Sequence, residues 1–418
     1  MDAVRAVDAP RAETRVVRVV TFAVLIGSYV INAMDRQLFP LMAPDVRREY
    51  GFSLAGIGLL STVFTLGMAV AGAPTGIFLT RLSRKGVLQV GIALFSAGTV
   101  LTAVSRGFAD MLVYRMVTGI GEAMQLTVLL AIAANYFVDH RGASLGAVNF
   151  AFAIGAIVGP VLGGALLGVN GRWQLPMVVF GMLGFAAMAV IGAGVDRSWT
   201  EGEGHALMPA ADDGAATLAN RNTILLGVMS LLGGLVIYGY LGLYPTFLRE
   251  SLRYSPTTAG SVMSLYGLGA LMSIAGGWFG DRGSPRVVLG TSFAVAAILG
   301  YLLFNGSASY YWQAALSMAW GIVVSGVVYV NLAGYQVKAV RRHLAGRASG
   351  VFVTTLYVSA AFAGYLMGWI ADRAGWGGAG TIQISLCSLA AAGLALALRP
   401  DQMCVTKWKG GRSGEVEK

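Results

Sequence analysis

Charged residues are scarce in this 418-residue sequence, where Asp, Glu, Lys and Arg together make up only 12%. A soluble domain carries about 25% charged residues, so the chain has about half of the usual ionic surface. It also has only two cysteines, Cys387 and Cys404, too few for a disulfide framework or a cysteine-ligated metal site. The sequence offers no nucleophile–base pair, metal set or phosphate-binding loop, and we therefore expect no enzyme activity, no cofactor and no metal.

Long apolar runs dominate the sequence instead. Hydrophobic residues make up 56% of the chain, and most of its 58 glycines lie inside apolar runs, where small residues let membrane helices approach closely. A bilayer core needs about 20 apolar residues per helix. Twelve suitable runs occur, at residues 19–39, 54–79, 87–105, 109–137, 143–168, 174–195, 223–248, 257–280, 287–305, 311–337, 348–371 and 379–398. The sequence therefore predicts an all-α membrane protein with 12 transmembrane helices.

The basic residues indicate how the chain is oriented. Its net charge of +10 raises the question of a nucleic acid partner, but Lys and Arg are spread one to four at a time between the apolar runs. With the amino terminus in the cytoplasm, 21 of them fall on the inner side and 7 on the outer side. This bias predicts a multi-pass protein of the bacterial inner membrane with both termini cytoplasmic and no nucleic acid partner. No small-residue cleavage site follows the first run, which indicates an uncleaved helix instead of a signal peptide.

The two halves of the chain repeat each other. The segment Gly76–Lys85 after the second run returns as Gly277–Arg286 after the eighth, an offset of 201 residues (277 − 76). A polar interval without an apolar run separates the sixth and seventh runs. The pattern predicts a parallel duplication with two six-helix bundles, at residues 1–195 and 223–398, a flexible linker at 196–222 and a cytoplasmic tail at 399–418.

Four charged residues lie well inside the apolar runs, Asp35 and Arg36 in the first and Arg115 and Glu122 in the fourth. A charge at the bilayer centre costs about 2.5–3.5 kcal/mol on insertion scales, so each one needs a physical reason. Arg115 and Glu122 are seven residues apart and share a helix face. One interpretation is a set of structural ion pairs, with Arg115 near the start of its run and able to extend toward the interface. The functional interpretation is a wet cavity that the first and fourth helices share.

Other polar residues point to the same cavity and to a path through the second half. Asn32 lies on one stripe with Asp35, and Gln125 lies beside Glu122. The second half has polar tips without charges, which serve as interhelical hydrogen bonds, interface aromatics or lining of a substrate path. These residues are Tyr238, Tyr240, Tyr244, Tyr266, Tyr329, Asn331, Tyr335, Gln336, Thr354 and Tyr357. We assign substrate binding to Tyr329 and Asn331 together with Asn32 and Gln125.

The repeated loops and one proline-containing run are candidate gating elements. Basic residues at helix ends anchor a membrane protein on its inner side, and the repeated spacing indicates in addition a charge latch between the halves. Gly159 and Pro160 in the fifth run allow close packing or a bend, because proline removes a backbone donor. The predicted gating set is Gly76, Arg81, Arg84, Lys85, Asp281, Arg282, Arg286, Gly159 and Pro160.

These motifs resemble the major facilitator superfamily over essentially the whole chain. Gly76–Lys85 is similar to its loop signature G-x-x-x-D-R-x-G-R-K, and Arg115–Gly121 is similar to its R-x-x-x-G-x-G. Ile31–Arg36 resembles the N-Y-x-D-R of the anion:cation symporter family, and Gly119–Ala123 fits the G-x-G-E-A of that family. Spinster-like lipid transporters share both motifs. The chain departs from these patterns at four positions, Thr80, Ser83, Ala33 and Met68, and the last two favour a less hydroxylated or aromatic carboxylate over a sugar acid.

The resemblance implies roles for the charged residues. Asp35 and Glu122 correspond to the proton carriers of the symporter family, Arg36 to the residue that binds the substrate carboxylate, and Arg115 to an arginine of the same cavity. It implies a monomeric proton-coupled symporter of a small organic anion, surrounded by membrane lipid and working by alternating access. The alternative is a proton-driven antiporter that exports a lipid-like or hydrophobic compound, and a sensor that binds without transport is a further rival.

Overall fold

The computed structural model describes residues 15–79, 81–136, 141–201, 214–341 and 344–403. Thr80, the departure from the loop signature, lies outside the described residues. The first half has six long helices, which are α1 Arg15–Tyr50, α2 Leu54–Phe78, α3 Arg84–Ala103, α4 Phe108–Tyr136, α5 Arg141–Asn170 and α6 Gln174–Gly194. The second half has α7 Arg221–Ser251, α8 Pro256–Arg282, α9 Pro285–Asn305, α10 Tyr310–Lys338, α11 Ala345–Ala379, and α12, which consists of Gly380–Leu386 and Cys387–Leu396.

The described residues confirm an all-helical membrane architecture. Ten helical stretches are long and apolar enough to cross a bilayer, and one of them, Ala345–Leu396, is 52 residues long. A straight helix of that length would be more than twice as long as a bilayer core of about 30 Å. The stretch turns back at Gly375, where φ is 71°, and Gln383 Nε2 donates to Ala363 O at 2.8 Å. It therefore contains two crossings, and α1 supplies the twelfth.

Helix α1 is longer than its predicted run, because it continues past residue 39 through Pro40 and Pro44 to Tyr50. A proline inside a helix costs about 3 kcal/mol, and the prediction ended at the first one. The neighbouring side chains are fully buried in the main core, namely Phe39, Leu41, Met42, Ala43 and Val46. Tertiary packing thus overrides the local signal. The extension carries charged residues beyond the membrane core on the side where α1 ends, which we call the outer side.

The two halves meet at the outer side through pairs of glycines. A Cβ added to Gly364 of α11 would lie 2.0 Å from the carbonyl oxygen of Gly58 on α2. A Cβ added to Gly260 of α8 would lie 2.3 Å from the carbonyl oxygen of Pro160 on α5. Small residues allow this backbone approach between membrane helices. The outer side is therefore closed in this structure.

On the inner side, the segment before α7 contacts the end of α10. Arg341 N donates to Ala215 O at 3.0 Å, and Ala215 N donates to Ala339 O at 3.4 Å. Leu218 packs against Val340 and Leu344. The second part of the predicted linker is thus held by contacts with the second half, and the division into two bundles at residues 195 and 223 stays a prediction.

Candidate functional site

The polar stripes of α1 and α4 face each other in the first half. Asn32 Nδ2 donates to Gln125 Oε1 at 2.8 Å, and Gln125 Nε2 donates to Ser28 Oγ at 2.9 Å. All three side chains are buried. These hydrogen bonds satisfy polar groups that lipid could not solvate, and they fix the register of α1 against α4. The helical spacing predicts this arrangement.

Arg36 and Glu122 form a buried ion pair beside this network. Arg36 Nε lies 3.0 Å from Glu122 Oε2, and the two side chains are 6% and 0% exposed. The Nε–H itself donates to Asn32 Oδ1 at 3.1 Å, so the contact with Glu122 is electrostatic and is not a hydrogen bond through that proton. Arg36 Nη2 has no hydrogen-bond partner in the described part of the chain. The guanidinium therefore has donor capacity left for an anion.

Asp35 of α1 and Arg115 of α4 are the other two charged residues of this cluster. Thr99 Oγ1 of α3 donates to Asp35 Oδ2 at 2.9 Å. The Arg115 guanidinium lies 4.8 Å from the ring centroid of Phe39 and 5.3 Å from that of Phe64. Such cation–π contacts strengthen when the cation is desolvated. Arg115 is 0% exposed, so the interpretation in which it extends toward the membrane interface is wrong.

The two acidic side chains approach each other inside this cluster. Electrostatic interactions couple the carboxyl groups of Asp35 and Glu122 to each other and to the guanidinium groups of Arg36 and Arg115. Asp35 Oδ1 and both Glu122 oxygens have no hydrogen-bond partner among the described residues. A proton on either carboxyl group would remove one negative charge from the cluster and supply a hydrogen-bond donor. The cluster therefore contains two carboxyl groups, one on α1 and one on α4, that can each take up a proton.

A cavity of about 150 Å³ lies next to this cluster, between the two halves. Among its lining residues Arg36 is the one with a charge. Aromatic side chains make up much of the remaining wall, namely Tyr29, Phe152, Tyr238, Tyr266, Tyr329 and Tyr357. The Arg36 guanidinium lies 5.8 Å from the ring centroid of Tyr29 and 6.0 Å from that of Phe152. A single cation on an aromatic wall suits a small anion with an apolar or aromatic body.

The predicted binding residues divide into three groups in the structure. Arg36 and Tyr329 line the cavity, and Tyr329 Oη lies 3.4 Å from Tyr357 Oη. Asn32 and Gln125 form a layer behind Arg36, while Asp35, Arg115 and Glu122 are buried without lining the cavity. The four charges thus gather in one cluster, but the prediction that all four reach the water-accessible pocket does not describe this conformation. Helical spacing predicts on which face of its helix a side chain lies, but it does not predict how deeply neighbouring helices bury that side chain.

Asn331 is the predicted binding residue that the structure places elsewhere. Its side-chain amide donates to Gly276 O at 3.0 Å and to Val327 O at 2.9 Å. It joins α10 to α8 and does not line the cavity. A buried amide in a membrane helix satisfies neighbouring backbone groups, and the assignment of Asn331 to the substrate path stays a prediction.

Sequence reasoning also missed residues at the site. Tyr29 lines the cavity, and its spacing from Asn32 and Arg36, at i, i+3 and i+7, is a detectable signal of a shared face. Phe152 of α5 also lines the cavity, and Thr99 of α3 hydrogen-bonds Asp35. No local pattern distinguishes these two residues from others in their helices, since their role depends on which helices meet.

The predicted gating residues of the first loop contact their own half. Arg84 Nη1 donates to Thr200 O at 3.0 Å, and Lys85 Nζ donates to Val195 O at 2.6 Å. Arg81 is exposed, and a Cβ at Gly76 would meet no atom within 4 Å. A latch from this loop to the other half stays a prediction.

The second loop behaves in the same way. Lys338 Nζ donates to Asp281 Oδ1 at 2.6 Å, and Arg286 Nε donates to Leu398 O. The guanidinium of Arg282 stacks on the Trp278 ring at 4.0 Å. These contacts hold the second half together at the inner side.

Gly159 and Pro160 lie within a continuous helix α5. A Cβ on Gly159 would approach the Met34 backbone of α1 to 2.9 Å, so this glycine allows the two helices to cross closely. The residues form a packing face, and their use as a hinge is untested.

Comparisons with known proteins agree with this architecture. The family model described as "Major Facilitator Superfamily" matches residues 25–364. Protein spinster of Drosophila melanogaster is 26% identical over 343 residues, 74% of this chain and 56% of that protein, so the chain spans little more than half of its length. A gallate transporter of Pseudomonas putida is 23% identical over 364 residues, 78% of this chain and 76% of that protein. The crystal structure of a bacterial homologue of the human lysosomal transporter Spinster, inward-facing and unoccupied, has a TM-score of 0.70 and 17% identity over 92% of this chain and 96% of that chain. That similarity shows the fold alone.

Proposed function

Because the chain belongs to the Major Facilitator Superfamily of membrane transporters, we propose that it is a secondary carrier that moves a small organic carboxylate together with protons by alternating access. The observation that supports this most is Arg36, the one charged residue among those lining the central cavity. Its Nη2 has no hydrogen-bond partner in the described chain. A guanidinium with free donors binds a carboxylate in a bidentate geometry, and that charge-assisted contact is about twice as strong as a neutral one.

The cavity favours a small substrate with an aromatic or apolar body. Drug-sized ligands occupy pockets of about 300–1,000 Å³, and this cavity has a volume of about 150 Å³. Six aromatic rings in its wall offer stacking faces, and Tyr329 and Tyr357 offer hydroxyl groups at the side of the second half. The gallate transporter among the relatives carries a name that fits this chemistry. Hydroxybenzoate-like acids are therefore the substrate class that we propose.

Proton coupling rests on the charge balance of the buried cluster. The cluster contains two carboxyl groups, Asp35 and Glu122, and two positively charged side chains, Arg36 and Arg115. The empty site is therefore neutral when both carboxyl groups are ionised. An arriving carboxylate adds one negative charge that the surrounding lipid and protein cannot solvate. Protonating one acid restores neutrality and frees Arg36 for the substrate. Asp35 Oδ1 and both Glu122 oxygens accept no hydrogen bond among the described residues, and this supports a role for the two acids in holding the proton.

The test is uptake by proteoliposomes that contain the purified protein. Labelled gallate, benzoate and 4-hydroxybenzoate are offered with and without an inward proton gradient, beside galactonate as a hydroxylated control. We expect accumulation of at least one aromatic acid above equilibrium only with the gradient. Extrusion of a hydrophobic dye that is driven by the proton gradient, with no carboxylate uptake, would favour the alternative function as an exporter. Ligand binding without flux of either kind would indicate a sensor.

We also propose where the carrier is located and how it is oriented. It is a monomer in the bacterial inner membrane with both termini in the cytoplasm. The supporting observation is the excess of Lys and Arg on that side. Protease protection of terminal tags in right-side-out and everted vesicles tests the orientation.

A further inference from the structure

Charged residues collect where α1 and α7 end on the outer side. The extension of α1 beyond the predicted run carries Asp45, Arg47 and Arg48. Helix α7 ends in a π-helical turn, Phe247–Ser251, that carries Arg249 and Glu250. The positive-inside bias disfavours arginine on this side. Four of the seven outer basic residues nevertheless lie at these two helix ends, namely Arg47, Arg48, Arg249 and Arg253.

Two ion pairs join the halves at this place. Arg249 of α7 pairs with Asp45 of α1, and its Nη1 also donates to Leu41 O at 3.0 Å. In the reverse sense, Arg47 Nη1 of α1 lies 2.7 Å from Glu250 Oε2 of α7. The first pair is 9% and 12% exposed, whereas the second is 33% and 27% exposed. The Arg47–Glu250 pair is therefore the one that a solute from the outer side can reach.

An open cavity of about 580 Å³ borders the exposed pair. We call it the outer vestibule and define its charged wall as Arg47, Arg48, Glu250 and Arg253. Three cations thus surround one anion, and Glu250 is already engaged with Arg47. The acid nearest to Arg48, Asp45, lies 3.6 Å away and is shared with Arg249. Arg253 has no ion pair in the described residues, so the vestibule has two cations in excess.

Arg253 has an uncommon backbone. Its φ of 60° is the one positive value among the described residues other than glycine. Glycine or asparagine is usual where a helix ends in this conformation. The turn is closed by Tyr254 N, which donates to Leu248 O at 3.0 Å. An arginine held in a sparsely populated conformation at the cavity wall is the kind of outlier that points to a function.

We propose that the outer vestibule is a second anion-binding site, which receives the carboxylate of an arriving substrate and competes with Glu250 for Arg47. Occupation would loosen the exposed ion pair between α1 and α7 and so favour opening of the outer side, which then leaves the more buried Arg249–Asp45 pair as the remaining ion pair to break. The identity of the anion rests on the proposed function. The site itself follows from the excess of cations around an open cavity, which concentrates anions electrostatically.

Binding is measured first, without transport. Saturation-transfer NMR follows benzoate on purified protein that carries Arg36→Gln, which removes the central cation. We expect a saturable signal that falls at least fivefold when Arg48→Gln and Arg253→Gln are added. The matched control adds Arg106→Gln and Arg172→Gln, two outer arginines away from the vestibule, and keeps the signal. Equal signals in the two combinations would overturn the proposal.

Transport kinetics give a second readout in protein that retains Arg36. Arg48→Gln with Arg253→Gln should raise the KM for external carboxylate about tenfold with kcat unchanged, because steering by such charges changes encounter rates by 10–10³. The KM from the inner side, measured in everted vesicles, should not change. Glu250→Gln should act in the opposite direction and lower the external KM about threefold, since Arg47 then has no competitor. A rise in KM on both sides, or no effect of Glu250→Gln, contradicts the proposed competition.

The two proposals fail separately. If the wild-type protein carries no carboxylate but Arg36→Gln still binds benzoate through Arg48 and Arg253, the proposed function is wrong and the vestibule stands. If carboxylates are transported but the vestibule variants match the control pair in both assays, the vestibule is wrong and the proposed function stands.

Discussion

A single methyl group at the outer contact between the halves should open the carrier to the outer side. In Gly364→Ala, the added Cβ would lie 2.0 Å from the carbonyl oxygen of Gly58, whereas real Cβ atoms essentially never approach closer than 3.0 Å. The backbones of α2 and α11 must therefore separate by at least 1.0 Å (3.0 − 2.0). The neighbouring atom is backbone, so no side-chain rotation can relieve the clash.

The size of the effect follows from known costs of overpacking. Extra methylene groups in a well-packed core cost about 1–3 kcal/mol. Only the outward-closed state has the clash, so the equilibrium between outward-closed and outward-open states should shift by about fivefold to a hundredfold, at about 1.4 kcal/mol for each factor of ten. Substrate turnover should fall, because the carrier must close this contact once in every cycle.

Cysteine accessibility measures this shift. Leu241, which lines the central cavity, becomes the single reporter in protein with Cys387→Ala, Cys404→Ser and Leu241→Cys. A membrane-impermeant maleimide added from the outer side should label Cys at this position at least fivefold faster in Gly364→Ala. Gly350→Ala is the matched control on the same helix, because a Cβ there meets no atom within 4 Å. Equal labelling rates in the two variants would show that the added methyl group does not open the outer side.

Three further predictions concern the central site. Arg36→Lys keeps the charge but loses the planar fork of donors, so the KM for a carboxylate should rise about tenfold in proteoliposome uptake, and an unchanged KM would exclude bidentate binding. Thr99→Val removes the hydrogen bond to Asp35 Oδ2, and the buried acceptor that it leaves costs about 1–3 kcal/mol. The melting temperature in a thermal-shift assay should therefore fall, and an unchanged melting temperature would contradict a stabilising role of this hydrogen bond. Asn331→Ala should leave the KM within about twofold, because Asn331 joins α10 to α8 outside the cavity. It should lower the melting temperature as well, because the buried carbonyl group that loses its donor costs free energy in the same range. A large rise in KM would place Asn331 in the substrate path.

Much of the fold can be predicted from the sequence because the bilayer imposes it. Lipid requires every crossing segment to satisfy its own backbone, so apolar length alone predicts helices. The stretch Ala345–Leu396 is an example, because its turn at Gly375 falls between the predicted eleventh and twelfth runs. The end of α1 shows its limit. Pro40 and Pro44 indicate a break, and only the burial of their neighbours explains why the helix continues.

The candidate site could be predicted in part for a similar reason. The cost of burying Asp35, Arg36, Arg115 and Glu122 singles them out in the sequence, and helical spacing predicts that α1 faces α4. Which of the four reaches the cavity depends on how deeply α3 and α5 pack beside α1. Arg115 is enclosed by Phe39 and Phe64, and no spacing in the sequence predicts that contact.

The outer ion pairs could not be predicted, because they join segments about half a chain apart. Arg47 and Glu250 are 203 residues apart and lie in segments that read as ordinary polar helix ends. Their pairing depends on the unpredicted extension of α1. The positive-inside bias disfavours arginine on the outer side. The presence of several arginines at these helix ends is therefore the one feature of the sequence that indicates a special role for them.

We expect Arg36 to bind the substrate while Asp35 and Glu122 carry the coupled proton. A pH-sensitive dye trapped inside proteoliposomes tests it directly, when an aromatic carboxylate is added outside without a pre-formed gradient. Wild-type protein should acidify the lumen as the anion enters, whereas the double variant Asp35→Asn, Glu122→Gln should exchange labelled anion without moving protons. Proton-driven accumulation that persists in the double variant would contradict the claim.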